Sequence, residues 1–297
     1  MNEKVKSWLE SGSFSKYNDL QIFYTQRGQG PDLLIIHGYP YSTYEWKECI
    51  DVLSKDYKVT ALDLLGMGFS DKPADHKYSY EEHCDIINTL LASLNINQTQ
   101  ILSHDLGVSV VQELIARDLD GKNNFRIVTS AFSNGSLFTS VYRPRLIQRL
   151  LSQTPKFIGK AISKVISKNA VNKSVKSVYG KNTPPSDVLL DELWDVLNYN
   201  NGKEISYLIG RLIFQKVHYQ NRWISAMQRT IIPMCYICGP SDPNSGKHMA
   251  DEYLRLLPKS KVLWIRDDIG HSPMIEDQSG FLELYLDVFY LLLNVAG

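Results

Sequence analysis

The sequence predicts an α/β fold with a mostly parallel sheet, and two observations support this prediction. Short apolar runs of strand length alternate along the chain with longer stretches of helical periodicity, the pattern of strands joined by crossover helices. The first two runs end in glycine-containing turns, HG and LGMG, where a strand passes into a loop. In such a sheet, functional residues collect at the carboxyl ends of the strands. The residues directly after each strand are therefore the first candidates for a site.

The predicted elements follow one another in a regular order. Residues 1–14 have the pattern of a short amphipathic helix. A helix over about 79–95 begins with Ser79 and has Glu82 three residues later, which is the spacing of a capping box. The predicted strands are residues 32–38, 58–64, 99–104, 126–133, 234–239 and 261–267.

Residues 138–228 interrupt this alternation. They contain no convincing strand pattern, and turn residues at 182–187 and 198–202 separate stretches of helical character. Because core segments flank them, we interpret them as a helical insertion that caps the carboxyl edge of the sheet. Residues 1–137 and 229–297 then form the core.

The insertion contains an unusual basic segment. Seven lysines and no acidic residue occur between residues 156 and 182, and Phe157 begins the segment. Four of the lysines are spaced four residues apart, at Lys156, Lys160, Lys164 and Lys168. A solvated helix face is the interpretation we favour, because Phe157 is the single aromatic anchor. The alternative is attraction to an anionic membrane surface.

Composition excludes several classes of protein. Lys and Arg together number 32, as do Asp and Glu, so no basic surface for nucleic acid is indicated. Cys235 and Cys238 lie three apart in a predicted strand and therefore point to opposite faces, which argues against a shared metal ion. The four cysteines show no disulfide framework, and buried thiols in a reducing compartment are expected. No metal or cofactor is predicted.

The termini predict a cytoplasmic protein. Residues 1–14 lack the apolar region of a secretory signal. The most apolar stretch is 281–297, but it contains Glu283 and Asp287. It is therefore predicted to be a final helix packed on the core, since no stretch approaches the roughly 18 apolar residues of a membrane span.

Residues 101–112, ILSHDLGVSVVQ, have the pattern of a nucleophile elbow, in which a strand, a tight turn and a helix follow one another. Asp105 occupies the apex, and Gly107 is small, as the crowded turn requires. The pattern expects an acid and then a histidine later in the chain. Asp242 and His271 follow the last two predicted strands, residues 234–239 and 261–267, in that order.

Five motifs together resemble those of the α/β-hydrolase superfamily: HGYP (37–40), DLLGMGFSDKP (63–73), SHDLG (103–107), GPSDP (239–243) and GHSPMIED (270–277). More narrowly, they resemble the branch of epoxide hydrolases and haloalkane dehalogenases, in which an aspartate is the nucleophile. The likeness covers nearly the whole chain. It implies a mostly parallel central sheet flanked by helices, with an inserted helical cap.

The resemblance implies a two-step hydrolysis through a covalent ester. An aspartate, with an ordinary pKa of about 3.9, is ionised at neutral pH and can attack an sp³ carbon without a base. His271, oriented by Asp242, would then activate a water that attacks the ester. In the family, backbone N–H groups stabilise the oxyanion, and here they would belong to Tyr39 and Leu106. His37 is expected to brace the loop that carries Tyr39.

The expected partners are water and a small apolar organic substrate, bound beneath the insertion. The residues assigned to substrate binding are His37, Trp194, Tyr207, Phe214 and Tyr219. Epoxide opening in the family uses two tyrosines of the cap as acids. The insertion contains Tyr142, Tyr179, Tyr199, Tyr207 and Tyr219, but none aligns cleanly with the family's second tyrosine.

Departures from the family pattern leave several activities open. Leu106 replaces the tryptophan whose indole N–H holds halide in dehalogenases, and leucine has no donor. Epoxide hydrolysis is therefore favoured over the alternatives, haloalkane dehalogenation and opening of a strained lactone. A non-catalytic binding protein is disfavoured by the complete triad. A serine esterase is poorly supported, because Ser103 and Ser109 miss the elbow apex.

Overall fold

A twisted sheet forms the centre of the molecule in the computed structural model, which describes residues 1–295, without the side chains of Ser152 and of residues from 288 onward. Its strands lie in the order β1-β2-β4-β3-β5-β6-β7-β8. Strands β1 and β2 are antiparallel to their neighbours, whereas β4, β3 and β5 to β8 are mutually parallel. The predicted mostly parallel sheet is thus confirmed. The strands are β1 (Ser13–Tyr17), β2 (Leu20–Arg27), β3 (Asp32–Ile36), β4 (Lys58–Leu62), β5 (Gln98–His104), β6 (Arg126–Ser133), β7 (Met234–Cys238) and β8 (Lys261–Trp264).

Helices connect and cover these strands. The predicted capping box is present in part, since the Ser79 hydroxyl accepts a hydrogen bond of 3.1 Å from the N–H of Glu82. The helices are α1 (Glu3–Ser11), α2 (Lys47–Leu53), α3 (Tyr80–Ser93), α4 (Leu106–Leu119), α5 (Leu146–Gln153), α6 (Lys156–Val165), α7 (Lys168–Lys176), α8 (Asp187–Asn198), α9 (Gly202–Gln215), α10 (Gln220–Arg229), α11 (Lys247–Leu256), α12 (Pro273–Glu276) and α13 (Gln278–Val295). Short 3₁₀ helices occupy Thr43–Trp46, Tyr199–Asn201 and Lys216–His218.

The antiparallel hairpin of β1 and β2 was not predicted from the sequence. Strand β1 lies at the edge of the sheet, and most of its side chains are exposed or half-buried. Strand β2 alternates between apolar residues such as Phe23 and polar residues such as Gln21. Half-buried strands of this kind lack the continuous apolar run that marks the parallel strands.

The core occupies both faces of the sheet. In β3, Leu34 and Ile36 pack on the face covered by α3, α4 and α11, whereas Leu33 packs on the face covered by α1, α2 and α13. This alternation follows from the two-residue period of a strand. Cys235 and Cys238 point to opposite faces, as predicted. All four cysteines are free and buried.

The C-terminal helix α13 packs on the core through Phe281, Leu282 and Tyr285, which are buried. This confirms the predicted packing for the start of the apolar stretch. The same prediction for residues 288–297 falls outside the described side chains. Among the residues described, no helix combines the length and the apolar character needed to cross a membrane.

The chain between β6 and β7 is helical, as predicted. In the described part of residues 138–228, helices α5 to α10 and short 3₁₀ helices occur and no strand does. Helix α9 packs against α5, α6 and α8, while α10 packs against α4 of the core. The division of the chain into a core and a cap stays a prediction.

Candidate active site

Asp105, Asp242 and His271 meet at the carboxyl edge of the sheet. Asp105 follows β5 directly, and the other two lie in the loops after β7 and β8. Nδ1 of His271 donates a hydrogen bond of 2.8 Å to Oδ2 of Asp242, while its Nε2 lies 3.4 Å from Oδ2 of Asp105. Both carboxylates are buried. The sequence therefore identified three residues that the fold brings together, although their catalytic roles stay predictions.

The elbow is a strained and crowded turn. Asp105 has φ +49° and ψ −113°, a backbone conformation that residues other than glycine rarely adopt. A Cβ atom at Gly107 would lie 2.5 Å from the carbonyl oxygen of Ile36, and one at Gly38 would lie 2.5 Å from Cβ of Asp105. Glycine at both positions therefore allows the apex to sit against the end of β3.

The carboxylate of Asp105 is held at both oxygens. The backbone N–H of Tyr39 donates a hydrogen bond of 2.8 Å to Oδ1, and Oδ2 faces His271. The role of this N–H in an oxyanion site stays a prediction. Leu106 begins α4, so its N–H is one of the groups that lack a partner within the helix. Burial alone would raise the pKa of Asp105, but the hydrogen bond and charge of His271 lower it below its ordinary value. The carboxylate is therefore ionised at neutral pH.

The carboxylate of Asp242 is surrounded by donors. Oδ1 accepts the N–H of Asn244 at 2.8 Å, and Oδ2 accepts the Ser245 hydroxyl at 2.6 Å and Nδ2 of Asn134 at 3.1 Å. Burial raises the pKa of this group, but the charge and hydrogen bonds of its neighbours, His271 first, lower it to about 2. For His271, burial lowers the pKa, but the charges of the two carboxylates raise it well above its ordinary value. The imidazole is thus protonated between two carboxylates in the resting state.

Two residues that position this group were not assigned a role from the sequence. The His104 ring packs 4.9 Å from the ring of His271, and its Nε2 donates a hydrogen bond of 2.8 Å to the His271 carbonyl oxygen. Burial lowers the pKa of His104 to about 4, so it is neutral. Asn134, after β6, orients Asp242. His104 and Asn134 lie at the ends of β5 and β6, and these positions are the signal by which the sequence could have identified them.

A cavity of about 130 Å³ lies above Asp105 and His271. This volume is similar to the roughly 150 Å³ of an engineered apolar cavity that binds benzene. The core contributes Tyr39, Tyr41, Glu45 and His104 to its wall. The segment between β6 and β7 contributes mainly apolar residues, namely Ile147, Leu151, Ile166, Val171, Val175, Val178, Tyr179 and Leu197. It also contributes the polar or charged residues Arg145, Gln148, Ser174, Lys203 and Ser206. The site therefore has the size and lining of a pocket for a small apolar molecule.

The four aromatic residues that were assigned to substrate binding from the sequence do not line this cavity, and their assignment stays a prediction. The Tyr219 ring stacks on Trp223, and its hydroxyl donates a hydrogen bond of 3.2 Å to Glu81. Tyr207 of α9 is buried against Gly159 of α6, and Phe214 of α9 packs against the same hydrophobic cluster. Trp194 of α8 packs against the other cluster, which includes Leu193 and Val196. The sequence showed which helices cover the site but not which helix faces point into it.

The His37 side chain supports the loop that carries Tyr39 and does not line the cavity. Its Nδ1 donates a hydrogen bond to the carbonyl oxygen of Gly38, and its Nε2 accepts one from the N–H of Leu64. The side chain is fully buried, and burial lowers its pKa. The assignment of His37 to substrate binding stays a prediction, whereas the expected support of the loop agrees with these contacts.

Glu45 and Tyr179 are two of the ionisable groups in the cavity wall, which also includes Tyr41, Arg145 and Lys203. Sequence reasoning had not placed Glu45 there, whereas Tyr179 was one of the five tyrosines it considered as an acid. Burial raises the pKa of Glu45 to about 8, with His271 opposing this shift and Asp105 adding to it. In the described part of the chain, the Glu45 carboxyl forms no ion pair. Burial also raises the pKa of Tyr179, and Glu45 and Ser272 are its neighbours. Both side chains therefore carry a proton at neutral pH. No group of three or more potential metal ligands occurs among the side chains that the structure describes.

Residues 31–278 match the family model of the alpha/beta hydrolase fold, and the chain belongs to this family. The mesoderm-specific transcript protein of Mus musculus is 33% identical over 295 residues, covering 96% of this chain and 88% of that protein. The putative hydrolase LipZ of Mycobacterium tuberculosis is 28% identical over 285 residues, covering 96% and 97%. The soluble epoxide hydrolase of a Corynebacterium species is 32% identical over 93 residues, covering 31% and 32%.

Solved structures support the same fold. An alpha/beta hydrolase fold protein from Burkholderia ambifaria has a TM-score of 0.77 and 20% identity, covering 93% of this chain and 97% of that one. A loop variant of the haloalkane dehalogenase DbeA from Bradyrhizobium elkanii has a TM-score of 0.77 and 16% identity, covering 96% and 98%. These identities are low, so the likeness establishes the fold alone. The predicted α/β-hydrolase fold is confirmed.

Proposed function

We propose that this protein is a hydrolase that forms a covalent ester between Asp105 and a small apolar substrate, with an epoxide as the favoured substrate class. The observation that carries the proposal is an ionised carboxylate at the elbow apex, beneath an apolar cavity and beside a histidine–carboxylate pair. In this proposal, residues 138–228 act as the cap. A cytoplasmic location is part of the same proposal.

Ester formation needs no base, because the lowered pKa keeps Asp105 ionised. A carboxylate oxygen attacks an epoxide carbon, a new C–O bond forms, and the C–O bond of the ring breaks. The electron pair of that bond leaves as an alkoxide, which takes a proton from the wall. Tyr179 is the donor that we favour, since it carries its proton at neutral pH and lies on the cavity wall.

Ester formation also prepares His271 for its later role. The ester has no charge, so one of the two carboxylates that raise the pKa of His271 is neutralised. The imidazolium thereby becomes a stronger acid while the alkoxide is forming. Its proton replaces the one given by Tyr179, and the net result is one alcohol, one ester and one neutral imidazole.

Hydrolysis then uses the neutral imidazole as a general base. His271 takes a proton from a water, and the water oxygen attacks the ester carbonyl. The oxyanion develops on Oδ1, where the N–H of Tyr39 already donates a hydrogen bond of 2.8 Å. Asp242 stabilises the imidazolium that forms. Collapse of the oxyanion breaks the C–O bond to the alkoxide, and the proton of the newly added hydroxyl group goes to this alkoxide to give the alcohol. The Asp105 carboxylate and the His271 imidazolium of the starting state are thereby restored.

Two observations favour an epoxide over the alternatives in this reaction class. The Leu106 side chain is buried and apolar, so it offers no donor to a departing halide. Part of the chain is also similar to a soluble epoxide hydrolase. A strained lactone stays the second candidate, because its opening would use the same groups. A binding protein has no need for the buried donors that orient Asp242 toward His271.

The test is mass spectrometry on the His271→Gln variant, which should form the ester once and then stall. The assay is run near pH 8. Removing the charge of His271 raises the pKa of Asp105, and the higher pH keeps this carboxylate ionised. With an epoxide, the mass of the protein should rise by the whole substrate, and the adduct should map to the peptide containing Asp105. Haloalkanes and lactones in the same assay separate the alternatives.

Asp105→Asn is the matched control, because a neutral amide fills the same space without the nucleophilic charge. It should show no adduct with any substrate. Full hydrolytic activity in Asp105→Ala would sink the covalent mechanism. If no substrate class modifies His271→Gln, the binding-protein alternative gains support.

A further inference from the structure

Helices α5 and α6 present large apolar side chains to solvent. The exposed fractions are 73% for Leu146, 42% for Leu150, 74% for Phe157 and 80% for Val165. On α6, the opposite face holds the helix to the molecule, since the buried Ser163 hydroxyl donates a hydrogen bond of 2.8 Å to the Glu204 carbonyl oxygen of α9. These apolar side chains therefore present much of their surface to solvent, and we call them the apolar stripe.

A basic stripe follows the apolar stripe along α6. Lys156, Lys160 and Lys164 are all exposed and recur at the four-residue spacing of one helix face. Arg149 adds an exposed cation beside them on α5. No acidic residue occurs from position 121 to 186. Within the described part of the chain, none of these four cations forms an ion pair, whereas Lys168 pairs with an aspartate of α8.

We propose that α5 and α6 dock on an anionic lipid bilayer, with the apolar stripe inserted at the boundary of headgroups and acyl chains. The lysine ammonium groups then lie at the level of the lipid phosphates. A helix that lies in a membrane interface has this arrangement, with bulky apolar side chains on one face and Lys or Arg beside them. Each cation near an anionic surface adds to the attraction. We name these residues of α5 and α6 the docking face.

The charges favour a membrane over a second copy of the chain. In a symmetric dimer through the docking face, Lys156, Lys160 and Lys164 would lie near the same lysines of the second copy. Glu204, which lines a cleft together with Lys160 and Lys164, would not balance three like charges from each copy. The apolar side chains also project singly, and Leu146, Phe157 and Val165 lie in different turns of two helices. Single protruding side chains of this kind insert into a fluid acyl layer, whereas a protein partner would need a complementary groove for them.

Docking would bring the cavity close to the bilayer. Ile147 and Leu151 of α5 line the cavity from the inner side of the same helix that exposes Leu146 and Leu150. An apolar substrate dissolved in the membrane would thus reach the cavity across one layer of helices. This consequence rests on the proposed function, whereas docking itself does not.

The experiment is cosedimentation of the full-length protein with vesicles of phosphatidylcholine, with and without about 30 mol% phosphatidylglycerol. We expect at least tenfold stronger binding to the anionic vesicles and a steep loss with salt. Phe157→Ser should weaken this binding at least tenfold, and so should the triple change of Lys156, Lys160 and Lys164 to Gln. Circular dichroism shows that each variant is folded.

Matched controls lie outside the docking face. Ile231, which is 97% exposed, is changed to Ser, and the exposed Lys55, Lys77 and Lys259 are changed together to Gln. Both controls should bind like the wild type. Equal loss in the controls, or no vesicle binding by the wild type, overturns the proposal. A dimer without lipid that Phe157→Ser dissociates overturns it as well, because the docking face is then a contact between copies.

Docking and chemistry are tested separately. The Asp105→Asn variant should bind anionic vesicles like the wild type, since Asp105 lies on the far side of the cavity wall. Phe157→Ser should keep its activity on a water-soluble substrate. Loss of vesicle binding in Asp105→Asn would contradict the assignment of docking to α5 and α6.

Discussion

The floor of the cavity, formed by Asp105, Asp242 and His271, and its roof, formed by the helices between β6 and β7, are stabilised by different interactions. On the floor, Asp105, Asp242 and His271 are each fixed by hydrogen bonds from buried neighbours. On the roof, side chains such as Ile147 and Leu151 are held by packing among helices. Hydrogen bonds fix both distance and direction, whereas apolar packing tolerates substitutions of similar volume.

This difference indicates that the floor and the roof have separate roles in the reaction. The floor has to hold reacting atoms within a fraction of an ångström, so a small change there should alter the rate of chemistry. The roof determines which molecule fits, so a change there should alter affinity more than turnover. The following predictions test this division, from the largest expected effect to the smallest.

The largest effect is expected for Asp242→Asn, which keeps the shape of the floor and removes a charge. His271 then loses the partner that fixes its tautomer and stabilises its imidazolium. In a serine protease triad, the equivalent change costs about 10⁴-fold in turnover, and we expect about 10³-fold or more here. Rapid-quench kinetics should locate the loss in ester hydrolysis. Asp251→Asn, an exposed aspartate paired with Lys247, is the control, and an equal effect there would contradict the role of Asp242.

A smaller effect, on stability, is expected for Glu45→Gln. Burial raises the folded-state pKa of Glu45 from 4.5 to about 8, so the unfolded chain loses this proton first as the pH rises. The wild type should therefore lose stability between about pH 4.5 and pH 8, by up to about 1.4 kcal/mol per pH unit. The variant lacks this loss, so the difference in unfolding free energy between the two should grow with pH.

Urea denaturation at about pH 5 and about pH 8 measures this difference in unfolding free energy. The exposed Glu48→Gln variant should track the wild type at both values. A difference between Glu45→Gln and the wild type that stays constant with pH would show that Glu45 titrates normally in the folded protein.

The smallest effect on catalysis is expected for the roof variant Leu151→Ala. Leu151 lines the cavity, so losing its side chain should raise KM for a small apolar substrate about tenfold and leave kcat within about threefold. Leu150→Ala is the matched control, because Leu150 is the preceding residue of α5 and is 42% exposed. Steady-state kinetics with one substrate compares the two. A large fall in kcat for Leu151→Ala alone would mean that the roof also positions reacting atoms.

The same division explains what could be predicted from the sequence. Asp105, Asp242 and His271 each follow a strand within a few residues, and the ends of parallel strands lie at one edge of the sheet. Their meeting therefore follows from local patterns and one rule of topology. The hydrogen bond from Tyr39 to Asp105 was also predictable, because the HGYP loop follows the strand beside β5.

The roof could not be predicted in the same way. Trp194, Tyr207, Phe214 and Tyr219 lie on helices of the insertion or directly beside them, and their aromatic character does not reveal which face of each helix meets the cavity. That orientation depends on how α5 to α9 pack on one another, which is long-range information. Glu45 was missed for a related reason, since a glutamate is usually exposed, and its burial in the 3₁₀ helix Thr43–Trp46 depends on long-range packing.

The insertion begins and ends at neighbouring strands of the sheet, and this arrangement affects how the sequences of such proteins can diverge. Strands β6 and β7 are hydrogen-bonded neighbours, with Ser130 beside Met234 and Ser133 beside Ile237. The long segment between them therefore forms a loop whose two ends are held together by the sheet. The entropic cost of closing such a loop rises only slowly with its length. Evolution can lengthen, shorten or exchange this loop without shifting the register of the strands that carry Asn134 and Asp242. New substrates become accessible by replacing one contiguous stretch of the gene.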